Sequence, residues 1–202
     1  MSIKIRFHQL PSLIAACAFI SVGSAHAAGS GDHHHGAGHG SMNGSMHGAQ
    51  QAMAGPMSFG KPGKLADAER VIEIVMGDNY FEPETLSVSA GETVHFKIAN
   101  NGTLVHEFNL GTPSYHEAHQ GEMMMMQQHG VLMGDHINHE MMNTPMGEDG
   151  HMMTHDHPNS VLLEPGKSGD VVWTFTSGGD IEFACNVPGH YAAGMVGTVD
   201  VE

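Results

Sequence analysis

The chain has 202 residues and a formal net charge of −15, from seven basic and 22 acidic side chains. This acidic excess argues against nucleic acids as partners, because their phosphates require a basic surface. The composition is also skewed toward 18 His and 17 Met, beside one Trp and three Tyr. The length suffices for one sizeable hydrophobic core or two small ones.

The N-terminus has the features of a secretory signal peptide. Lys4 and Arg6 precede an apolar run over residues 10–22, and residues 25–27 (Ala-His-Ala) have the small-x-small form of a cleavage site. The run is shorter than the roughly 20 residues of a membrane-spanning helix, which disfavours an anchor. A lipobox-like sequence at residues 14–17 is an alternative. We predict a signal peptide over residues 1–27 and a periplasmic, monomeric mature chain without a membrane span.

Residues 28–68 consist mainly of Gly, Ser, Ala, His and Met. Such a segment cannot bury enough apolar surface to offset the entropy lost on ordering. We predict a disordered His/Met-rich tail over this whole range.

From Glu69 onward, short apolar runs alternate with turn residues, which is typical of strands. The predicted strands cover residues 71–76, 85–88, 93–98, 105–110, 160–163, 170–175, 180–184 and 195–201. Seven or eight short strands without a convincing amphipathic helix predict one all-β domain over residues 69–202, an antiparallel β-sandwich with Greek-key connections. Trp173 and Phe175 are expected in its core.

A stretch of 47 residues, 112–158, separates the two blocks of strands and contains eight His and ten Met. It is far longer than an ordinary connection, which indicates a functional insertion, a disordered one, or both. Residues 117–128 have a composition that favours a short helix.

Cys185, His190 and Met195 follow a C-x4-H-x4-M spacing in the loop between the last two predicted strands. Once residues 1–27 are removed, Cys185 is the only cysteine and cannot form an internal disulfide. It is then either a buried structural residue or a metal-bound thiolate. A thiolate, an imidazole and a thioether on one turn are soft donors, and a second imidazole would complete a copper electron-transfer site.

His106 is the natural second imidazole, because it lies on an earlier predicted strand. His95 also lies on a strand and competes for this role. Its alternation with Val94 and Phe96, however, suits an outward, solvated position. We therefore predict a type 1 copper site formed by His106, Cys185, His190 and Met195.

The sequence resembles the cupredoxins over residues 71–110 and 160–202. The resemblance is carried by Asn79-Tyr80-Phe81-Glu82-Pro83, Ala90-Gly91-Glu92-Thr93-Val94, Asn100-Asn101-Gly102, His106-Glu107-Phe108 and the Cys-His-Met loop. The loop spacing is similar to the auracyanin type and differs from the plastocyanin and azurin forms. The resemblance implies that Cys185 and the two His bind copper equatorially, that Met195 is axial, and that His190 is the electron port.

The His/Met-rich segments are absent from the small electron carriers of this group and resemble those of periplasmic copper-tolerance cupredoxins of the CopI-like kind. Thioethers suit cuprous ion, whereas imidazoles suit cupric ion, zinc or nickel, so these segments are predicted to bind additional copper loosely. The candidate accessory ligands are His33, His34, His35, Met123, Met124, Met125, Met126, His151, His155 and His157. Asn101 and Asn186 are either hydrogen-bonding supports of the site or ordinary turn residues.

Three functions compete. The first is copper tolerance, with copper ions and a copper-efflux component or periplasmic redox partner as the expected partners. The second is plain electron transfer between periplasmic proteins. The third is an oxidase, which is disfavoured because Ala184 and Asn186, rather than His, flank Cys185. We expect no enzyme activity, although oxidation of cuprous ion by the lone centre stays open.

Overall fold

The computed structural model describes residues 57–145, 152–176 and 179–202 and contains two five-stranded sheets. Its strands are β1 (Gly60–Pro62), β2 (Arg70–Gly77), β3 (Tyr80–Glu82), β4 (Thr85–Val88), β5 (Thr93–Asn100), β6 (His106–Gly111), β7 (Ser160–Leu163), β8 (Ser168–Phe175), β9 (Ile181–Ala184) and β10 (Val196–Val201). Its helices are α1 (Pro113–Gln128), α2 (His139–Met142) and a 3₁₀ turn at Leu65–Asp67. Neither α-helix is both long enough and apolar enough to cross a bilayer. The predicted all-β sandwich is confirmed.

The strand order is β1-β8-β5-β2-β3 in the first sheet and β4-β10-β9-β6-β7 in the second. The chain crosses from one sheet to the other between β3 and β4, β4 and β5, β5 and β6, β7 and β8, and β8 and β9, as in a Greek key. The expectation of a purely antiparallel sandwich is wrong for two pairs, β2 with β5 and β4 with β10, which are parallel. Each of these pairs joins strands whose connection passes through the other sheet, which leaves both strands running in the same direction.

Aromatic side chains fill the space between the sheets. Phe108 of β6 packs against Phe96 of β5 at 5.4 Å and against Phe183 of β9 at 5.6 Å between ring centroids. Trp173 and Phe175 are buried in the same core, as predicted. This packing fixes β6 and β9 relative to each other, and these are the strands that lead to the predicted copper ligands.

The segment before residue 69 is ordered over residues 57–68, so the prediction of disorder up to residue 68 is wrong there. β1 pairs in antiparallel register with β8. Phe59, one of the few large apolar residues of the segment, is buried and stacks on Trp173 with a centroid distance of 5.4 Å. The buried aromatic side chain and the pairing with the edge of the sheet hold this stretch against the domain. The remainder of the predicted tail, with His33, His34 and His35, and the predicted signal peptide lie outside the described residues.

The insertion contains a helix, α1, that is longer than the sequence predicted. Thr112 caps it, because its hydroxyl oxygen accepts a hydrogen bond from the Tyr115 amide at 3.3 Å, and Pro113 follows at the first helical position. Its buried residues recur every three or four positions and form one stripe: His116, His119, Met123 and Met126. This stripe packs on the outer face of the second sheet, so that β6 is buried on both faces.

Candidate metal centre

The structure brings His106, Cys185 and His190 together at one end of the sandwich. Their ligand atoms all lie within 4.8 Å of one another. Cys185 Sγ is 3.3 Å from His190 Nδ1 and 3.9 Å from His106 Nδ1. His106 and Cys185 are fully buried, whereas His190 is half-buried. Both histidines therefore direct the same ring nitrogen toward the thiol.

The loop between β9 and β10 holds three of the four predicted ligands. Cys185 follows the last residue of β9, and Met195 precedes the first residue of β10. The Cys185 amide donates to the Met195 carbonyl at 3.1 Å, and the Met195 amide donates to the His190 carbonyl at 3.1 Å. Gly189 and Gly194 have φ values of 93° and 94°, a conformation that favours glycine. The loop is thus closed by its own backbone, and the Met195 side chain is buried at its end.

Asp78 orients His106 and was not singled out from the sequence. It lies in the turn after β2, and its Oδ1 is 3.0 Å from His106 Nε2. Because a carboxylate only accepts, Nε2 carries the proton and Nδ1 is left free for a metal. Asp78 also accepts from the Thr103 amide and hydroxyl at 2.9 and 2.7 Å. The hydrogen bonds from His106 and then Thr103 hold the pKa of Asp78 well below its usual value.

The environment of Cys185 favours a neutral thiol until a metal replaces the proton. Burial raises the pKa of Cys185 to about 12, against a smaller opposite effect of the Glu107 amide, which donates to Sγ at 3.3 Å. Burial, and then the neighbouring His106, lower the pKa of His190, which keeps that imidazole neutral. A metal that binds here must therefore displace the thiol proton, but it meets an imidazole that is already deprotonated.

Glu107 is a fully buried carboxylate next to the site. Its Oε2 accepts from the amide and the side chain of Asn186, at 3.1 and 2.9 Å. Its Oε1 accepts from His119, His155 and Ser160 at 2.8, 2.7 and 3.0 Å. The available sequence signal was a charged residue on a predicted strand directly after a predicted ligand, but the strand pattern alone does not reveal what covers that residue.

The electrostatics of Glu107 depend on these histidines. Burial alone raises the pKa of Glu107, but the positive charge of His119 and the hydrogen bonds from His119 and His155 outweigh it and hold the pKa well below its usual value. For His119, burial lowers the pKa, but the charges of Glu107 and Glu122 and the hydrogen bonds to them together outweigh that effect and raise the pKa to about 10. Glu107 is thus ionised inside the protein and is balanced by imidazoles of the insertion.

The asparagines have different roles. Asn186 is fully buried and ties the ligand loop to Glu107, so it supports the site. Asn101 is exposed on a turn. The residue that ties the loops together is Asn100, whose side-chain amide donates to the carbonyls of Leu104 and Leu163 at 2.8 and 2.9 Å.

His95, the competitor of His106, does not lie among the converging ligands. It lies on β5 on the face opposite Phe96, as the alternation indicated, but it is buried rather than solvated. Its Nε2 pairs with Asp170 Oδ1 at 2.6 Å. His95 is buried on this central strand, although Lys97 on the same face is exposed.

The accessory candidates separate into three groups. Met123 and Met126 belong to the hydrophobic core and are closed to solvent, because they lie on the buried stripe of α1. Met124 is exposed and Met125 is half-buried. His155 and His157 converge with His119 into a second group of imidazoles, again with ligand atoms within 4.8 Å of one another. His151 lies outside the described residues.

The donor set at Cys185 fits copper. A thiol, two imidazole nitrogens with free lone pairs and a nearby buried thioether match the trigonal site with a weak axial Met that copper electron-transfer proteins use. No second cysteine lies in the described part of the chain, so a thiolate-bridged pair of metals is not supported there.

The sequence of residues 68–202 matches the family model described as "Copper binding proteins, plastocyanin/azurin family". The chain is 51% identical to the copper-resistant cuproprotein CopI of Pseudomonas aeruginosa, over 76% of this chain and 88% of that protein. It is 36% identical to the CopI protein of Rubrivivax gelatinosus, over 95% of each chain.

Among solved structures, the chain is similar to a dithionite-reduced auracyanin from Roseiflexus castenholzii, with 22% identity, a TM-score of 0.48, and coverage of 67% of this chain and 98% of that one. A second similar structure is auracyanin B, with 22% identity, a TM-score of 0.47, and coverage of 72% of this chain and 96% of that one. On the family match and the two CopI relatives, this chain belongs to the plastocyanin/azurin family of copper-binding proteins, as a CopI-like cupredoxin with copper as its cofactor.

Proposed function

We propose that this chain is a periplasmic copper-tolerance protein with a redox-active type 1 centre held by His106, Cys185, His190 and Met195. The observation that carries the proposal is the convergence of one thiol and two imidazole nitrogens at a buried point. It is supported by the 51% identity to a protein named for copper resistance.

Copper held by a thiolate and two imidazoles can gain or lose one electron. The contribution of the protein is to keep the ligands from moving when the charge changes. Asp78 fixes the ring of His106 from behind, and the Glu107 amide restrains the sulfur of Cys185. The backbone bonds that close the loop restrain Met195. Ligands held in this way need little rearrangement between the two oxidation states.

His190 is the route by which an electron would reach the centre. It is half-buried, while the other two converging ligands are fully buried. A redox partner would therefore dock over the loop that carries His190. The exchange would pass through its imidazole rather than through solvent.

The His/Met-rich segments would capture further copper. Met124, Met133 and Met152 have exposed fractions of 42%, 43% and 44%, and their thioethers suit cuprous ion. Exposed thioethers on one insertion offer several weak sites. This arrangement supports a role in copper handling more than one in electron transfer alone.

We further propose that the chain is not an enzyme. Ala184 and Asn186 flank Cys185, so the imidazoles that would connect a type 1 centre to an oxidase cluster are missing from these two positions. Purified copper-loaded protein should show no sustained oxygen consumption with cuprous ion or phenolic substrates. Steady turnover with either substrate would contradict this part of the proposal.

The test is complementation of a deletion strain with wild-type protein, with Cys185→Ser and with His136→Ala as a matched control on the insertion. We expect wild type and the His136 variant to restore growth in copper and the Cys185 variant to fail, with respiration intact in all strains. A respiratory defect at low copper, without copper sensitivity, would instead favour the electron carrier.

Two further measurements complete this test. Cell fractionation should recover the protein in the periplasm. Visible spectra of the purified protein should show a thiolate-to-copper band that is lost in Cys185→Ser. Persistence of that band in the variant would overturn the ligand assignment.

A further inference from the structure

A second group of metal-binding side chains lies between the insertion and the second sheet. His119 belongs to α1, whereas His155 and His157 lie in the segment that leads into β7. The ring centroids of the three imidazoles are 5.0 to 5.4 Å apart. The ring of His157 is nearly perpendicular to the other two, at 87° and 89°. Three rings thus surround one point instead of stacking on one another.

Two carboxylates border the same point. Glu107 Oε1 lies 2.8 Å from His119 Nε2 and 2.7 Å from His155 Nε2. Glu122 Oε2 lies 3.3 Å from His119 Nδ1 and 3.2 Å from His157 Nε2. Every imidazole of the group therefore has a carboxylate oxygen within reach of a ring nitrogen.

The burial of this group makes its charge balance important. The side chains of Glu107 and His119 are fully buried, and 3% of the His155 side chain is exposed. Within the described ranges, the ion pairs of both carboxylates involve only histidines, with no Lys or Arg. Buried carboxylates need a nearby positive charge. A divalent cation would supply that charge in place of the His119 proton, which it would displace, and would take one ring nitrogen of each histidine as a ligand.

We propose that His119, His155 and His157, with a carboxylate oxygen of Glu107 or Glu122, form a second site for a divalent transition metal, separate from the type 1 centre. Three imidazoles and a carboxylate are the donors of many zinc and cupric sites. No sulfur ligand is needed, so the site does not select cuprous ion. Between the two divalent ions, the general order of affinities favours Cu²⁺ over Zn²⁺.

Glu107 links this second site to the type 1 centre. Its carboxylate contacts the imidazoles, and its amide donates to Cys185 Sγ at 3.3 Å. Its other oxygen holds Asn186, the residue after Cys185. A metal that draws Glu107 toward the imidazoles would therefore alter the hydrogen bonds around the sulfur, which tune a copper–thiolate centre.

The proposal is tested on the full-length chain carrying Cys185→Ser, so that no thiolate-bound copper contributes to the signal. Cu²⁺ and Zn²⁺ are titrated separately against a chelator strong enough to strip the loose sites of the His/Met-rich segments. The test variants are His157→Ala and the double variant His155→Ala/His157→Ala. His157 is chosen for the single variant because its side chain, at 16% exposed, is the least buried of the three histidines. His136→Ala, an exposed histidine of the same insertion, is the control.

We expect one Cu²⁺ and, more weakly, one Zn²⁺ to be retained by the Cys185→Ser protein and by its His136→Ala derivative. His157→Ala should lower the affinity at least about tenfold, and the double variant should lose the ion. The electron paramagnetic resonance spectrum of bound Cu²⁺ should show coupling to imidazole nitrogens without a thiolate band. Circular dichroism of each variant separates loss of the site from loss of the fold.

Equal retention of the ion by the Cys185→Ser protein and a folded double variant would overturn the proposal, as would no retention in either. If His157→Ala unfolds, the thermal unfolding midpoint of the Cys185→Ser protein is measured with and without Zn²⁺ instead. A midpoint raised by Zn²⁺ supports the site, and an unchanged midpoint contradicts it. These outcomes are independent of the proposed function, which depends on growth in copper and on the spectrum of the type 1 centre.

Discussion

Replacing Asp78 with Ala should weaken copper binding without unfolding the protein. The side chain holds His106 Nε2 and also accepts from Thr103 and Leu104 in an exposed loop. Water can replace the loop contacts, so we expect a loss of about 1 kcal/mol in the free energy of unfolding. It cannot easily replace the contact with His106, which is fully buried.

The expected loss in copper affinity follows from the role of this contact. Without Asp78, His106 Nε2 loses the hydrogen bond that sets its tautomer, and groups of this kind are typically worth 10- to 100-fold in metal affinity. This range corresponds to about 1.4 to 2.8 kcal/mol of binding free energy. Chelator competition measures the loss of copper affinity. Urea unfolding of the metal-free protein measures the loss of stability separately.

Asp78→Asn is the matched control, because its amide oxygen can still accept from His106 Nε2. It should bind copper within a few-fold of wild type. Copper affinity of Asp78→Ala equal to that of wild type, in a folded protein, would refute the orienting role. An equal loss in both variants would show that the negative charge matters rather than the hydrogen bond.

Three further substitutions probe the surroundings of the centre. Glu107→Gln should cost about 2–4 kcal/mol in the free energy of unfolding, because an amide cannot accept from all the buried donors, whereas exposed Glu117→Gln should change it little. Met126→Ala should lower the free energy of unfolding, measured with urea, by about 2–5 kcal/mol, whereas Met124→Ala, at an exposed position, should lower it by less than about 0.5 kcal/mol. Equal losses in the two variants would argue against the buried stripe of α1. Gly102→Ala should lower copper affinity in chelator competition, since a methyl group would collide with the Asp–His pair behind the centre; unchanged affinity would contradict that packing.

The protein supports its metal centre from two directions. One is the ordinary sandwich, whose aromatic core fixes β6 and β9 and hence the positions of His106 and Cys185. The other is the insertion, whose helix α1 covers the outer face of β6 and buries Glu107. The insertion, which its composition indicates is a metal-binding segment, therefore also packs against the residues next to the centre.

Several features could be predicted because they depend on local sequence. The loop from Cys185 to Met195 carries three predicted ligands within 11 residues, and their soft donor atoms indicate copper chemistry. Alternation along the strands predicted the sandwich, and the alternation of His95 with Val94 and Phe96 favoured His106 as the ligand. The helix of the insertion was predicted from composition, although its start was placed four residues late because the Thr112 cap was not recognised.

Other features depended on contacts between distant segments. Pairing of β1 with β8 orders residues 57–68, which composition alone would leave unstructured. Asp78 meets His106 across 28 positions, and Glu107 meets His155 across 48. The run of four methionines at 123–126 supplies both core and exposed residues, because only one face of α1 packs on the sheet.

Ligand types, loop spacing and strand alternation are properties of neighbouring residues, so the metal of the centre and the class of fold could be inferred from the chain before its folding was known. Long-range packing set which groups orient those ligands, which methionines are closed to solvent, and that three histidines of the insertion converge beside a buried carboxylate. The physical reason is burial: whether a polar side chain is solvated, paired or available to a metal depends on what packs over it, and that is contributed by residues far away in the chain.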